Sequence, residues 1–283
     1  MKISIIGLGL IGGSLAKTIK KNTNHSVYGF DTNDTVIDMA LKDIDGVATK
    51  KVIGESDITF VCLHPVQTIK YIEENAQIFG DGKIVCDVCG IKEKIVSKAE
   101  KALAETGAVF IGTHPMAGRE FSGYEYALDN LFDNAYFIIT PTGNTPSDKL
   151  ETVKNLACEM NFKSVVTSSA KEHDEIIAYT SQLAHVVSNA YVKSPLLLKE
   201  RGFSAGSFLD LTRVAKLNED MWTDLFLMNK EPLLFEVLNI IGKLKEYAEA
   251  LKNDDKDNLK KLLREGRILK EASLEKEKER AKQ

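Results

Sequence analysis

The feature that most restricts the fold lies within the first twelve residues. Ile3-Ser4-Ile5-Ile6 is a short apolar run with strand character, and it leads directly into Gly7-x-Gly9-x-x-Gly12. Beyond the glycines Leu15 and Ile19 recur at the four-residue spacing of a helix face. A strand, three glycines at this spacing and a helix make a nucleotide-binding turn. The first glycine permits the tight bend, the second lets the backbone approach a pyrophosphate, and the third lets helix pack on strand. Gly7, Gly9, Leu10, Ile11 and Gly12 are therefore expected at the phosphates, where the free N–H groups of a helix start meet negative charge. Met1-Lys2 and the apolar residues up to Ala16 also outline a short secretory signal, but a signal core has no use for regularly spaced glycines.

A second run, Val27-Tyr28-Gly29-Phe30, ends at Asp31, about 20 residues beyond the glycines. A carboxylate there accepts hydrogen bonds from the adenosine ribose hydroxyls and repels a 2′-phosphate, so NAD is favoured over NADP. Further apolar, β-branched runs follow at Ile58 to Leu63, Ile84 to Val88 and Val109 to Ile111, mostly separated by segments of helical spacing. This alternation implies a Rossmann-type α/β domain with a parallel sheet covered by helices on both faces. Tyr136 to Ile139 and Ser164 to Val166 extend the same sheet. Leu63-His64-Pro65 and Cys89 follow two of these runs, at the strand ends where open α/β sheets bind ligands, and are expected along the cofactor.

From Ser169 onward the pattern changes to long stretches of helical period. The chain is thus read as a nucleotide domain over 1–168 and an all-helical domain over 169–283. Leu233, Leu234, Val237, Ile240, Ile241 and Leu244 form a wide apolar stripe that serves either as a domain core or as an interface between two copies. The Lys- and Glu-rich tail from Asn253 reads as a solvated helix.

A net charge of -4 with interspersed basic and acidic residues gives no basis for gripping nucleic acid. No run of about 18 apolar residues suggests a membrane span. Four cysteines in 283 residues are too few for a disulfide scaffold, which fits a reducing cytoplasm. Cys86-x-x-Cys89 lacks a second pair, so neither zinc nor redox chemistry is expected there, and no metal elsewhere.

The most informative segment is Gly112-Thr113-His114-Pro115-Met116-Ala117-Gly118-Arg119-Glu120-Phe121-Ser122-Gly123, read as a loop after the run that ends at Ile111. With Leu131-Phe132-Asp133-Asn134-Ala135-Tyr136, Glu172-His173-Asp174, Ser181-Gln182-Leu183-Ala184-His185, Asp210-Leu211-Thr212-Arg213-Val214-Ala215 and Met221-Trp222-Thr223-Asp224, it resembles the prephenate and arogenate dehydrogenase family, in the family's order over nearly the whole chain. The resemblance implies NAD-dependent oxidative decarboxylation of prephenate to 4-hydroxyphenylpyruvate in tyrosine biosynthesis, and it tips the apolar stripe toward a homodimer. It makes His114 the catalytic histidine, whose neutral imidazole accepts the ring hydroxyl proton as the carbonyl forms. Arg213 corresponds to the substrate-binding arginine, and its planar fork suits a carboxylate. His185 corresponds to a second histidine near the substrate, and Glu120 to a position at the pocket mouth.

Some positions depart from the family pattern. Gly90, expected at the substrate, stands where many members carry a serine, Gln182 where a histidine is common, and Ala205-Gly206-Ser207-Phe208-Leu209 where a glycine-rich run precedes Asp210. These changes leave the reaction type standing but bear on the choice between prephenate and arogenate. A β-hydroxyacid dehydrogenase shares the overall plan, yet that group relies on a catalytic lysine and lacks the His-Pro-Met-Ala-Gly segment. A non-catalytic NAD-binding protein would have had no reason to keep His114, Arg213 and Asp31 together.

Overall fold

The computed structural model describes residues 1–119 and 121–280. Glu120, expected at the pocket mouth, lies outside the described residues. Among those described, eight strands form one sheet: β1 (Lys2–Ile6), β2 (Ser26–Phe30), β3 (Gly46–Val47), β4 (Ile58–Val61), β5 (Ile84–Asp87), β6 (Val109–Pro115), β7 (Tyr136–Thr140) and β8 (Ser164–Thr167), in the order β3-β2-β1-β4-β5-β6-β7-β8. The chain reverses its direction across the sheet between β1 and β4. That switch point places the glycine turn after β1 in the crevice where such sheets bind ligands.

Between the strands run α1 (Leu10–Asn22), α2 (Asp34–Ala40), α3 (Lys50–Glu55), α4 (Pro65–Asn75), α5 (Glu93–Leu103) and α6 (Ser147–Glu159). The central strands are buried on both faces, as their continuous Val/Ile composition requires. Ile3, Ile5, Phe60, Ile84 and Ile111 pack with Leu15 and Ile19 of α1 and Leu156 of α6 on one side. Ile6, Val61, Val85 and Phe110 pack with Ile72 of α4 and Ile95, Ala99 and Leu103 of α5 on the other.

The sheet differs from the sequence expectation in three respects. The two-residue β3 beside β2 was not anticipated, being too short to leave a periodic signal. β7 pairs antiparallel with β6 while the remaining neighbours are parallel. Finally, β6 runs on to Pro115, so His114 stands in a strand rather than in a loop. Residues 109–111 pair with β5, whereas 112–115 pair with β7, His114 opposite Ile138. Pairing from the β7 side carries Gly-Thr-His-Pro, a turn-like sequence, as extended chain.

The helical region comprises α7 (Ala170–Ile177), a π-helical turn at Ala178–Gln182 and α8 (Leu183–Tyr191) in one continuous run, then α9 (Gly206–Thr212), α10 (Glu219–Met228), α11 (Lys230–Lys252) and α12 (Lys256–Arg280). Ser169 caps α7 by accepting from the Glu172 N–H at 3.1 Å. Strands give way to helices at 168/169, but the compact units divide the chain later, between Pro232 and Leu233. The reason is visible in α7: the Asp174 carboxylate accepts the Lys92 and Glu93 backbone N–H groups and pins this helix to the start of α5. In the unit beginning at Leu233, the side chains of Phe235, Leu238, Leu244 and Leu251 are exposed.

Candidate active site

The glycine turn has the geometry its spacing implies. Gly7 adopts φ +91°, and a Cβ there would lie 2.6 Å from the Cys62 carbonyl oxygen. A Cβ on Gly12 would lie 1.9 Å from the Gly7 oxygen, so helix and strand meet at a distance only glycine allows. A Cβ on Gly9, in contrast, would meet nothing within 4 Å. The second glycine thus faces open room, and the N–H groups of Leu10, Ile11 and Gly12 precede the first intrahelical bond, from the Gly13 N–H to the Gly9 oxygen at 2.8 Å. This is a cradle that fits a pyrophosphate.

Asp31 lies at the end of β2, where its two carboxylate oxygens accept the N–H groups of Leu8 at 2.9 Å and Asn33 at 3.0 Å. Each oxygen keeps acceptor capacity for a ribose hydroxyl. Leu63 packs beside Gly7, and its carbonyl accepts from the Thr68 hydroxyl at 2.9 Å. His64 and Pro65 begin α4, with His64 exposed. The Cys89 thiol is buried and turned to Thr68, and burial raises its pKa to about 12. Cys86 is likewise buried and held protonated well above the ordinary thiol range. Protonated thiols are poor metal ligands and nucleophiles. Among the described residues no group of three or more His, Cys, Asp or Glu is placed to hold a metal.

His114 sits beyond the end of β5. Alternation along β6 puts Phe110, Gly112 and His114 on one face. Phe110 packs in the core shared with α5, and a Cβ on Gly112 would lie 2.9 Å from Val96 and 3.3 Å from Lys92. His114 then reaches α7, where its Nδ1 lies 2.9 Å from Nε2 of His173. His173 Nδ1 lies 2.7 Å from Oδ1 of Asp174. Gly90 borders the other side of the ring, since a Cβ there would come within 3.9 Å of both Nε2 and Cε1 of His114. Burial, His173 and Lys92 together hold the His114 imidazole well below its usual pKa. At neutral pH it is therefore an uncharged ring able to take a proton.

Beneath this cluster lies a fully buried ion pair between Lys92 and Asp87. The Asp87 carboxylate also accepts the N–H of Cys89 at 2.9 Å and of Thr113 at 3.2 Å, and the Thr113 hydroxyl donates to the Asp87 carbonyl. These bonds tie the strand segment carrying His114 to the end of β5. His173, Asp174, Lys92 and Asp87 were not assigned roles from sequence. The usable signal was a His-Asp pair early in a capped helix, but nothing local says which histidine it faces.

A second cluster is built on α8 and α10. The His185 ring stacks on Trp222 with centroids 3.8 Å apart, and its Nδ1 donates to the Ser181 carbonyl at 3.0 Å. Burial lowers the His185 pKa, the Ser181 bond opposes this, and the nearby Arg213 charge adds to the lowering. His185 and Arg213 are thus close enough for the cation to act on the ring. Gln182, in the π-helical turn, is buried and accepts from the Asn229 amide at 2.8 Å, the same amide that donates to the Asp174 carbonyl at 2.9 Å. It therefore serves as an internal brace at the position where a histidine is common in the resembled family.

Comparison with known proteins covers both halves of the chain. Residues 15–166 match the profile described as prephenate dehydrogenase, nucleotide-binding domain, and residues 169–265 that described as prephenate dehydrogenase, dimerization domain. A prephenate dehydrogenase of Bacillus subtilis is 35% identical over 274 residues, 91% of this chain and 72% of that one. The crystal structure of prephenate dehydrogenase from A. aeolicus in complex with hydroxyphenyl propionate and NAD+ aligns with a TM-score of 0.83 at 30% identity, over 96% of this chain and 98% of that one. The Synechocystis arogenate dehydrogenase aligns with a TM-score of 0.83 at 25% identity, over 96% and 100%. With both halves matched in order and the nucleotide turn and histidine clusters in place, this chain belongs to the prephenate dehydrogenase family.

Proposed function

We propose that this protein is an NAD-dependent prephenate dehydrogenase in which His114 is the base. The observation that carries the reading is a neutral, half-buried histidine at the carboxyl edge of the sheet, hydrogen-bonded behind and bordered by Gly90 in front. When bound, NAD supplies the hydride acceptor. Gly7, Gly9, Leu10, Ile11 and Gly12 hold its pyrophosphate, Asp31 takes the ribose hydroxyls, and the backbone from Leu63 to Pro65 and at Cys89 borders it.

The reaction then asks two things of the chain. As the ring C–H bond breaks and its electron pair leaves as hydride, the hydroxyl on that carbon passes its proton to His114 and becomes a carbonyl. The ring carboxylate next departs as carbon dioxide, and the electrons of the broken C–C bond flow through the ring to the oxygen. That oxygen recovers the proton, which completes the phenol. Arg213 and His185 bind substrate carboxylate, where charge-assisted hydrogen bonds are about twice as strong as neutral ones. Gly90 leaves room beside His114 for the ring.

We further read residues 1–168 as the nucleotide domain and 169–283 as the substrate and dimerisation domain of a cytoplasmic homodimer. The exposed Phe235, Leu238, Leu244 and Leu251 support burial against a second copy. None of the described helices is long and apolar enough to cross a membrane. Arogenate is the second reading, favoured by the equal TM-score of the Synechocystis enzyme. Incubating the protein with NAD and either prephenate or arogenate, and following reduction of the nicotinamide, decides between them. Reduction with neither would sink the assignment.

A further inference from the structure

His114 is one member of a buried chain of hydrogen bonds, and the far end of that chain determines which of its nitrogens is the base. Two imidazole nitrogens 2.9 Å apart share one proton, so the tautomers of His114 and His173 are linked. Asp174 sets the direction. Its Oδ1 accepts the Lys92 N–H at 2.7 Å and its Oδ2 the Glu93 N–H at 2.8 Å, at the start of the 11-residue α5. Both oxygens are therefore already acceptors, facing backbone donors at the positive end of a helix. An ionised carboxylate only accepts, so His173 donates to it from Nδ1 and accepts at Nε2. His114 therefore donates from Nδ1, and its lone pair stands on Nε2, the nitrogen beside Gly90.

We propose that His173 and Asp174 are positioning residues for the dehydrogenation, holding His114 in the tautomer whose Nε2 lone pair faces the substrate hydroxyl and bonding to the imidazolium once the proton has arrived. The inference rests on the dehydrogenase reading for its kinetic consequence, though not for the tautomer itself. The charges facing the two rings are Lys92 at the start of α5, Asp87 at the end of β5 and Asp174 on α7. With one cation and two carboxylates the buried cluster carries a single negative charge at rest. A proton taken up by His114 brings it to neutrality, which offsets part of the burial cost that keeps the resting ring uncharged.

Three variants and one spectrum test this. In the ligand-free protein, ¹⁵N spectra should show His114 protonated at Nδ1 and bare at Nε2, and His173→Leu should convert this to a mixture of tautomers. In assays with prephenate and NAD, His173→Leu should lose about 10²-fold in kcat, within the span of a positioned acid–base group, with KM little changed. His173→Gln, whose amide can still accept near the position of Nε2, should recover at least about tenfold of that loss. Asp174→Asn should be slow through the wrong tautomer. The proposal fails if wild-type His114 carries its proton on Nε2, if folded His173→Leu keeps wild-type kcat, or if His173→Gln is as slow as His173→Leu with an unchanged melting temperature. Should His173→Leu not fold, the wild-type spectrum and His173→Gln still decide. A wild-type protein that oxidises neither prephenate nor arogenate would overturn the functional reading, while the spectrum would continue to test the tautomer.

Discussion

The two histidine clusters are built on different principles. Around His114 the partners His173, Asp174, Asp87 and Lys92 are all buried, and each holds another in a chain from the ring to the ion pair behind it. Around His185 the ring, half-buried like that of His114, is stacked on Trp222, and Arg213 is exposed. The difference fits the tasks proposed for them. A base must have one tautomer and be uncharged before substrate arrives, which fixed partners and burial provide. A carboxylate clamp must be reached by its ligand, and its cation is always charged, so it needs access more than burial.

The sharpest way to break this comparison is His114→Asn, which removes the base but keeps a polar side chain. Turnover should fall roughly 10²–10⁴-fold with NAD affinity unchanged, measured by steady-state kinetics and cofactor titration. Near wild-type turnover would make His114 structural and His185 the next candidate. Arg213→Ala acts on the other cluster and should spare kcat. Losing a charge-assisted bond costs about 1.5–3 kcal/mol, so KM for prephenate should rise about 10- to 100-fold. An unchanged KM in a folded variant would move the carboxylate site elsewhere.

The contrast also has a pH signature. Because burial, His173 and Lys92 hold His114 well below the ordinary 6.5, the base stays neutral as pH falls through 6.5. The acidic limb of wild-type turnover should therefore lie below that value. Stability runs with the same sign. Below 6.5 the unfolded chain protonates His114 and His173 while the folded chain resists, so the protein should lose stability as pH drops below 6.5. Thermal melts from neutral to acid pH should show this slope, reduced in His114→Asn. A turnover limb centred above 6.5 would contradict the burial argument.

The smallest effect expected is that of Gly90→Ser. A Cβ here makes ordinary contact at 3.9 Å from His114, so the added carbon fits without moving the ring. One added hydrogen bond contributes about 0.5–1.5 kcal/mol, so kcat should change by no more than about tenfold. A loss of a hundredfold or more would mean that Gly90 is needed as open space for the substrate ring.

The sequence by itself determined the nucleotide turn, since its requirements are local. Gly7 must take a positive φ and Gly12 must touch Gly7, and both demands fall on neighbours that spacing alone identifies. Asp31 was equally legible, because a fixed length of helix and strand carries the chain from the glycines to that corner. The motif around His114 marked a family, and so a role, but its local sequence pointed to a loop. Only the pairing of residues 112–115 with β7, from the opposite direction, made that segment a strand. The positioning pair was hidden for a stronger reason. His114 and His173 are 59 residues apart, and they meet because Asp174 caps α5 and draws α7 onto it, an event of packing between distant helices. Glycine conformations and residue periods are written along the chain. Which buried polar groups satisfy one another is decided only when the layers close and each must find a partner away from water.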